Sequence, residues 1–182
     1  MRRKTFDSLL TTAGLVLAVV LLVAGGLLTW ASNFVGDQVH DQLAAEKILI
    51  PPAGSEALAS PEIGPYLNKY AGQPLTTGAQ AEAYADHFIA VHLKEITGGR
   101  TYSELSSASQ ANPSDTKLAG TVQTAFRGET LRGLLLNAYA FGTMGRIAGI
   151  AAVASFVGAA VMLVLSVLGL LHLRRVPADA QL

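Results

Sequence analysis

Cysteine is absent from this chain of 182 residues, and charged side chains make up only 14% of it. The missing cysteines exclude disulfides, thiolate metal sites and thiol nucleophiles, so the fold must hold by packing alone. The charged fraction is far below the average of about 25% in soluble proteins. The formal net charge is zero and the basic residues are scattered, which gives nucleic acid no electrostatic footprint. The composition predicts a protein that lies in lipid and binds no nucleic acid.

Two long apolar runs account for the low fraction of charged residues. No side chain from Ser8 to Gly36 is ionisable, and Ile147 to Leu173 contains no Asp, Glu, Lys or Arg. A hydrocarbon layer about 30 Å thick needs about 20 helical residues, and both runs exceed that length. Neither run has the polar face that a helix at a water boundary needs. We therefore predict transmembrane helices at 9–34 and 147–173.

The basic residues near the two spans predict their direction. Arg2, Arg3 and Lys4 precede the first span, and Arg174 and Arg175 follow the second. Cationic flanks are retained in the cytoplasm, so both termini should be cytoplasmic in a multi-pass plasma-membrane protein. The remaining segments are then a cytoplasmic tail at 1–8, an extracytoplasmic domain at 35–146 and a second cytoplasmic tail at 174–182.

A cleaved signal peptide is the competing interpretation of the first span. The basic start and a weak cleavage pattern at Thr29-Trp30-Ala31 favour it, and the mature protein would then begin near Ser32. The apolar stretch is longer than the roughly 7 to 15 residues of a signal sequence, and bulky Trp30 precedes the cut. An uncleaved anchor fits this length better.

Residue types along the spans suggest how they sit in lipid and how they pack. Aromatic and long cationic side chains at the span ends are typical interfacial anchors; these are Trp30, Phe34, Tyr139, Phe141 and Arg146. Small residues four positions apart allow helices to approach closely; these are Gly14 and Ala18, Gly145 and Gly149, and Ala151, Ser155 and Ala159. The stripes predict either an intramolecular hairpin, which we favour, or a homo-oligomer.

Between the spans the pattern is helical throughout, which makes the fold class all-α. The first span should continue as a polar helix over 37–47, followed by an irregular connector over 53–65 and a helical turn at 66–70. Capping-box spacing predicts one helix that starts at Thr77 and ends before Gly98-Gly99. It predicts another that starts at Thr101 and ends at Asn112-Pro113. Asn112 should cap a further helix that Gly128 interrupts, and a last helix from Glu129 should enter the second span. No convincing strand is present.

The densest polar group outside the spans lies on this last helix. Glu129 and Arg132 are three positions apart and can pair, and Asn137 follows toward the membrane. These residues predict either a structural role, fixing the helix against the domain, or contact with a partner or a lipid headgroup.

Candidate metal and catalytic groups are weak. Asp37, His40 and Asp41 share one helical face near the outer surface and could bind a divalent cation, although the spacing is common in solvated helices. His87 and His92 lie five positions apart, so their imidazoles diverge, and a half-buried, hydrogen-bonded His92 is the plainer interpretation. No hydrolase or P-loop motif occurs. We assign no catalytic residue, cofactor or metal ligand.

Two stretches carry a family resemblance. They are Tyr84 to Ser103 (YADHFIAVHLKEITGGRTYS) and Phe126 to Gly142 (FRGETLRGLLLNAYAFG). The chain resembles a family of uncharacterised actinobacterial membrane proteins with two spans around an external helical region, and the likeness covers most of its length. The resemblance implies an actinobacterial plasma membrane and a family-specific external domain, and it transfers no catalytic residue.

The functional expectation follows from two predicted membrane anchors and from the lack of a recognisable catalytic motif. We expect a non-enzymatic interaction or scaffold protein of the cell envelope, with the lipid bilayer, another membrane or envelope protein, or a second copy as partners. The alternative is a protein that binds lipid or another apolar ligand in its external domain. Its possible lining residues are Phe88, Ile89, Phe126 and Leu131. A metal-dependent enzyme is the weaker alternative.

Overall fold

The computed structural model describes residues 3–175 and Pro177, and these residues form helices and turns. Arg2, one of the basic residues used for the orientation, lies outside this range. The α-helices are α1 (Arg3–Ala45), α2 (Gly64–Leu67), α3 (Gly78–Tyr84), α4 (Ala90–Thr97), α5 (Tyr102–Ala111) and α6 (Thr116–Leu173). Short 3₁₀ turns lie at Glu56–Leu58 and Asn68–Tyr70, and a π-helical turn at Ala85–Ile89 joins α3 to α4. Within the described residues the extended pairing is limited to one isolated bridge between Leu49 and Pro74.

The all-α class is confirmed, and α1 and α6 are both long and apolar enough to span a membrane. They contain 43 and 58 residues and continue without a break beyond their apolar segments. The chain divides into two compact units, an apolar unit formed by the two apolar segments and a helical domain at Val35–Met144. The two units pack through different kinds of contact.

In the apolar unit the two segments pack side by side along a seam of small residues. Buried and half-buried positions on α1 alternate in steps of three and four, the spacing of a left-handed coiled coil. The α1 positions are Thr11, Gly14, Ala18, Leu21, Gly25, Leu28 and Ser32. The α6 positions, with the same alternation, are Gly145, Ala148, Ala152, Ser155, Ala159, Met162, Ser166 and Gly169. Every second position in each list is small, which brings the two backbones close together.

The contacts in this seam run in opposite directions along the two segments. A Cβ atom added to Gly14 would lie 2.6 Å from the Ser166 hydroxyl oxygen, and one added to Gly169 would lie 2.5 Å from that of Thr11. Further along, Gly149 lies against Ser32. The apolar unit is therefore an antiparallel hairpin within one chain. All the small residues predicted to pack helices are buried or half-buried in the described structure.

The helical domain begins each short helix with the caps that its sequence predicts. The Thr77 hydroxyl accepts a hydrogen bond from the Gln80 backbone N–H at 3.3 Å, and Gln80 Oε1 accepts from the Thr77 N–H at 3.0 Å. The same reciprocal pair joins Thr101 and Glu104, and these bonds hold the pKa of the Glu104 carboxyl below its ordinary value. Gly98 ends α4 at a φ of 63°, which glycine adopts without strain.

Two predictions about the start of α6 were wrong. Asp115, rather than Asn112, caps this helix, because its Oδ1 accepts from the Leu118 N–H at 2.9 Å. Gly128 does not interrupt the helix, which continues to Leu173. A Cβ atom on Gly128 would lie 2.5 Å from the Leu93 side chain, so this glycine serves close packing of α4 against α6.

The connector before α3 contributes more to the core than its composition predicts. Turns do occupy it, and α2 with the following 3₁₀ turn lies near the predicted helical turn at 66–70. Its apolar side chains, although irregularly spaced, nevertheless point inward, and five are at most 4% exposed: Ile50, Leu58, Ile63, Leu67 and Leu75. They form one cluster with side chains from α3, α4 and α6, including Leu135. The domain core is therefore built from both regular and irregular backbone.

Candidate ligand groove and the ion pair beside it

The π-helical turn lines up three aromatic side chains on one side of α3 and α4. Tyr84 and Phe88 stack with ring centroids 4.7 Å apart, and Phe88 and His92 follow at 4.5 Å. In a regular α-helix residues four apart drift around the axis, and a wider turn reduces the rotation per residue. The three rings therefore form one continuous surface, the aromatic wall.

A groove of about 380 Å³ lies between the aromatic wall and α6. Gly78 approaches Ala138 and Tyr139, whereas Leu93 approaches Gly128, so the two helices run antiparallel along it. The lining is mostly apolar and consists of Tyr84, Phe88, Ile89, His92, Leu93, Ile96, Thr124, Arg127, Gly128 and Leu131. The groove is open to solvent, and its volume lies within the range of about 300 to 1,000 Å³ that small-molecule sites occupy.

Polar groups in the groove are few. Arg127 is exposed and has no ion-pair partner among the residues that the structure describes. The His92 Nδ1 lies 2.7 Å from the Phe88 carbonyl oxygen and donates to it, as expected for a half-buried, hydrogen-bonded histidine. Burial raises the pKa of the Tyr84 hydroxyl, which stays protonated at neutral pH. Arg127 is thus the permanent charge in this groove.

An ion pair next to the groove joins the π-helical turn to α6. The Arg132 Nη2 donates to Asp86 Oδ1 at 2.8 Å, and Nη1 lies 3.6 Å from Glu129 Oε2. The hydrogen bond to Asp86 raises the pKa of the Arg132 guanidinium, while its Nε is buried without a partner among the described residues. Arg132 therefore fixes α6 against the turn.

The predicted polar group of Glu129, Arg132 and Asn137 is only partly brought together. Glu129 and Arg132 are in contact, as their spacing indicates, but Asn137 is exposed on another face of α6. Asp86, the shortest contact of Arg132, escaped sequence reasoning because 46 positions separate the two residues.

The chain was compared with family models, with curated proteins and with solved structures. No match was found in any of the three comparisons.

A second, more polar cleft of about 400 Å³ lies on the other side of α4. Tyr66 and His87 stack along it with ring centroids 3.4 Å apart and planes within 2° of parallel. Lys94 and Glu62 face each other across it at 3.9 Å, which is a loose and exposed ion pair. His87 and His92 therefore serve different surfaces, in agreement with the divergence that their spacing predicts.

The candidate cation group of Asp37, His40 and Asp41 lies on the exposed surface of α1. His40 Nδ1 lies 3.2 Å from Asp41 Oδ1, and both side chains are more than half exposed. Among the described residues no three histidine or acidic side chains gather as metal ligands do. The contact shows a solvated pair on a helix surface.

The outward face of α6 carries a stripe of exposed apolar side chains in the helical domain. Phe126, Leu134, Phe141 and Met144 are between 51% and 62% exposed and recur at helical intervals, with Asn137 among them. Phe126, a predicted lining residue of an apolar site, lies outside the groove and contacts Tyr102 at a centroid distance of 5.6 Å. We call the surface formed by these four apolar residues and Asn137 the α6 stripe.

The predicted interfacial anchors differ in exposure. Trp30 and Phe34 are exposed and stack with centroids 5.6 Å apart on α1. Phe141 and Arg146 are exposed as well, whereas Tyr139 is half-buried, with its backbone close to Gly78. Tyr139 thus also takes part in packing of the domain.

Proposed function

We propose that the chain is a multi-pass plasma-membrane protein whose helical domain lies outside the cytoplasm. The positive flanks at Arg3, Lys4, Arg174 and Arg175 support this direction, since such residues are retained inside. The unbroken course of α1 through Ala31 and its close packing on α6 favour an anchor over a cleaved signal peptide. A protein whose first segment is cleaved off near Ser32 would lose the α1 side of the seam.

We propose further that the domain acts by binding a partner protein of the cell envelope rather than by transforming a substrate. The α6 stripe carries this proposal, because its four large apolar side chains are more than half exposed along one helix. Exposed apolar patches rimmed by polar residues mark interaction sites, and an apolar helix face suits another helix. The partner's surface should be an apolar helix.

Asn137 gives the α6 stripe a means of selecting its partner. A single polar side chain within an apolar helical interface fixes register and partner choice at some cost in affinity. Leu134 and Phe141 flank Asn137 on the same face and supply the apolar area. This arrangement explains how an exposed apolar face can bind selectively.

Site-specific photo-crosslinking in native membranes tests the partner proposal. A photoreactive residue at Leu134 should give one defined adduct with another envelope protein, and Phe141→Ala should weaken that adduct severalfold. The same probe at exposed Gln110 on α5 is the matched control and should give none. Equal labelling at both positions, adducts with lipid alone, or a crosslink between two copies of this chain would contradict the proposal.

Binding of an apolar ligand is a second candidate function, and the groove along the aromatic wall favours it. Its volume of about 380 Å³ and its mostly apolar lining suit a small hydrophobic molecule. Three of the four predicted lining residues, Phe88, Ile89 and Leu131, do line it. The groove and the α6 stripe involve different faces of α6, so the two functions are compatible.

A further inference from the structure

We infer that the groove binds a long-chain fatty acid, with its carboxylate at Arg127 and its hydrocarbon chain along the aromatic wall. The inference rests on the second function proposed above and names the ligand class. It combines two features of one surface, a run of apolar lining and one cation without a partner among the described residues.

The hydrocarbon chain has a continuous apolar path. Because α3–α4 and α6 run antiparallel, Ile96 and Leu93 lie toward the Thr124 end of the groove, and Tyr84 lies toward the Leu131 end. Stacked rings form one side and Leu131 the other, and Leu93, packed on Gly128, adds apolar surface to the same path. Each methylene group that packs on this path removes apolar surface from water, so a chain of many methylenes gains affinity along it.

The head group is selected by charge. Arg127 and Thr124 lie one turn apart on α6, and the lining within the described structure contains no carboxylate. A guanidinium binds a carboxylate through two parallel N–H donors, which favours a planar anion over a neutral or zwitterionic head. Arg132, in contrast, is already occupied by Asp86 and Glu129.

The size of the groove favours a single chain. At about 380 Å³ it lies near the lower end of the range for ligand sites. A phospholipid with two chains would need more apolar lining than Tyr84, Phe88, Ile89, Leu93, Ile96 and Leu131 offer. A fatty acid therefore fits better than a bilayer phospholipid.

Equilibrium binding of radiolabelled palmitate to the full chain in phosphatidylcholine nanodiscs tests the inference, with empty nanodiscs correcting for partitioning. One saturable site is expected. Arg127→Glu should weaken it by about tenfold or more, the effect of losing one charge-assisted interaction. Thr124→Trp should weaken it similarly by filling the groove. The matched controls are Lys117→Glu and Gln123→Trp on the same helix outside the groove, and both should bind within about twofold of the unmodified protein.

Two further probes separate the possible failures. Hexadecanol, which lacks the charge, should bind at least about tenfold more weakly than palmitate. Equal binding of both probes, sensitive to Thr124→Trp, would overturn the charge assignment and leave an apolar ligand site. Saturable binding of neither would overturn the ligand function as well. Tighter binding of palmitoyl-lysophosphatidylglycerol than of palmitate would assign the groove to a phosphate head and contradict the fatty acid.

Discussion

Replacing Leu135 by alanine should destabilise the helical domain by about 2–5 kcal/mol, the cost of deleting a buried leucine side chain. Leu135 is only 2% exposed and is the α6 residue that belongs to the buried core cluster. That cluster also contains residues of α1, the connector, α3, the π-helical turn and α4, so the cavity would lie in a core that these elements share. The free energy of unfolding of a domain of this size is small, so this loss is a large fraction of it.

The adjacent leucine supplies the control for this experiment. Leu134 is 61% exposed, and its replacement by alanine should change stability by less than about 1 kcal/mol. Pulse proteolysis of the full chain in nanodiscs, with urea as denaturant, measures both variants against the unmodified protein. Equal destabilisation by the two substitutions would show that the register of α6 in the domain differs from the one described.

Replacing Ala159 by leucine should open the hairpin of the apolar unit. Ala159 is fully buried in the seam, and a larger side chain there must push the two segments apart or adopt a strained rotamer. Overpacking of this kind costs about 1–3 kcal/mol in close-packed interiors. In the proposed membrane setting the two segments gain little from the hydrophobic effect, so the loss of close contact should weaken their association strongly.

Engineered disulfide formation measures the hairpin directly, because the chain has no cysteine of its own. Leu21 of the seam lies close to Gly158, the residue before Ala159, because a Cβ atom on Gly158 would lie 3.3 Å from Leu21 Cδ1. Cysteines at these two positions should crosslink rapidly in the background of Ala160→Leu, an exposed control. The crosslink should form severalfold more slowly with Ala159→Leu. Equal rates in the two backgrounds would contradict the seam.

Local signals in the sequence were sufficient for the helix ends that depend on neighbouring residues. The capping boxes at Thr77 and Thr101 and the glycine stop at Gly98 are interactions within a few positions, so their spacing alone specifies them. The length and hydropathy of α1 and α6 are equally local. These features were predicted correctly.

Features that depend on distant residues could not be predicted in the same way. A glycine such as Gly128 favours a helix break when only neighbouring residues are considered. Only the Leu93 side chain, 35 positions earlier, explains why glycine is needed inside α6. The partner of Arg132 is similarly distant, and the π-helical turn that presents Asp86 leaves no simple periodicity. Burial of the irregular connector depends on the whole core cluster.

The packing stripes in the apolar segments show an intermediate case. Counting by fours identified Gly14, Ala18 and Ala159 correctly as contact residues. The seam instead alternates steps of three and four, so Ala148 and Ala152 lie in it beside the predicted Gly149 and Ala151. A search for a seven-residue repeat of small side chains would have found every second position of the seam, because two helices that stay in contact over many turns need that period.

Labelling of single cysteines in intact cells tests the proposed topology, on which the proposed binding of an envelope partner depends. The cysteine-free chain allows Gln110→Cys in the helical domain and Thr5→Cys before the first apolar segment to be compared without background. A membrane-impermeant maleimide should label Gln110→Cys in intact cells and Thr5→Cys only after the membrane is permeabilised. Protection of Gln110→Cys in intact cells, or the loss of Thr5→Cys from the mature protein, would contradict a domain held outside the cytoplasm by two anchors.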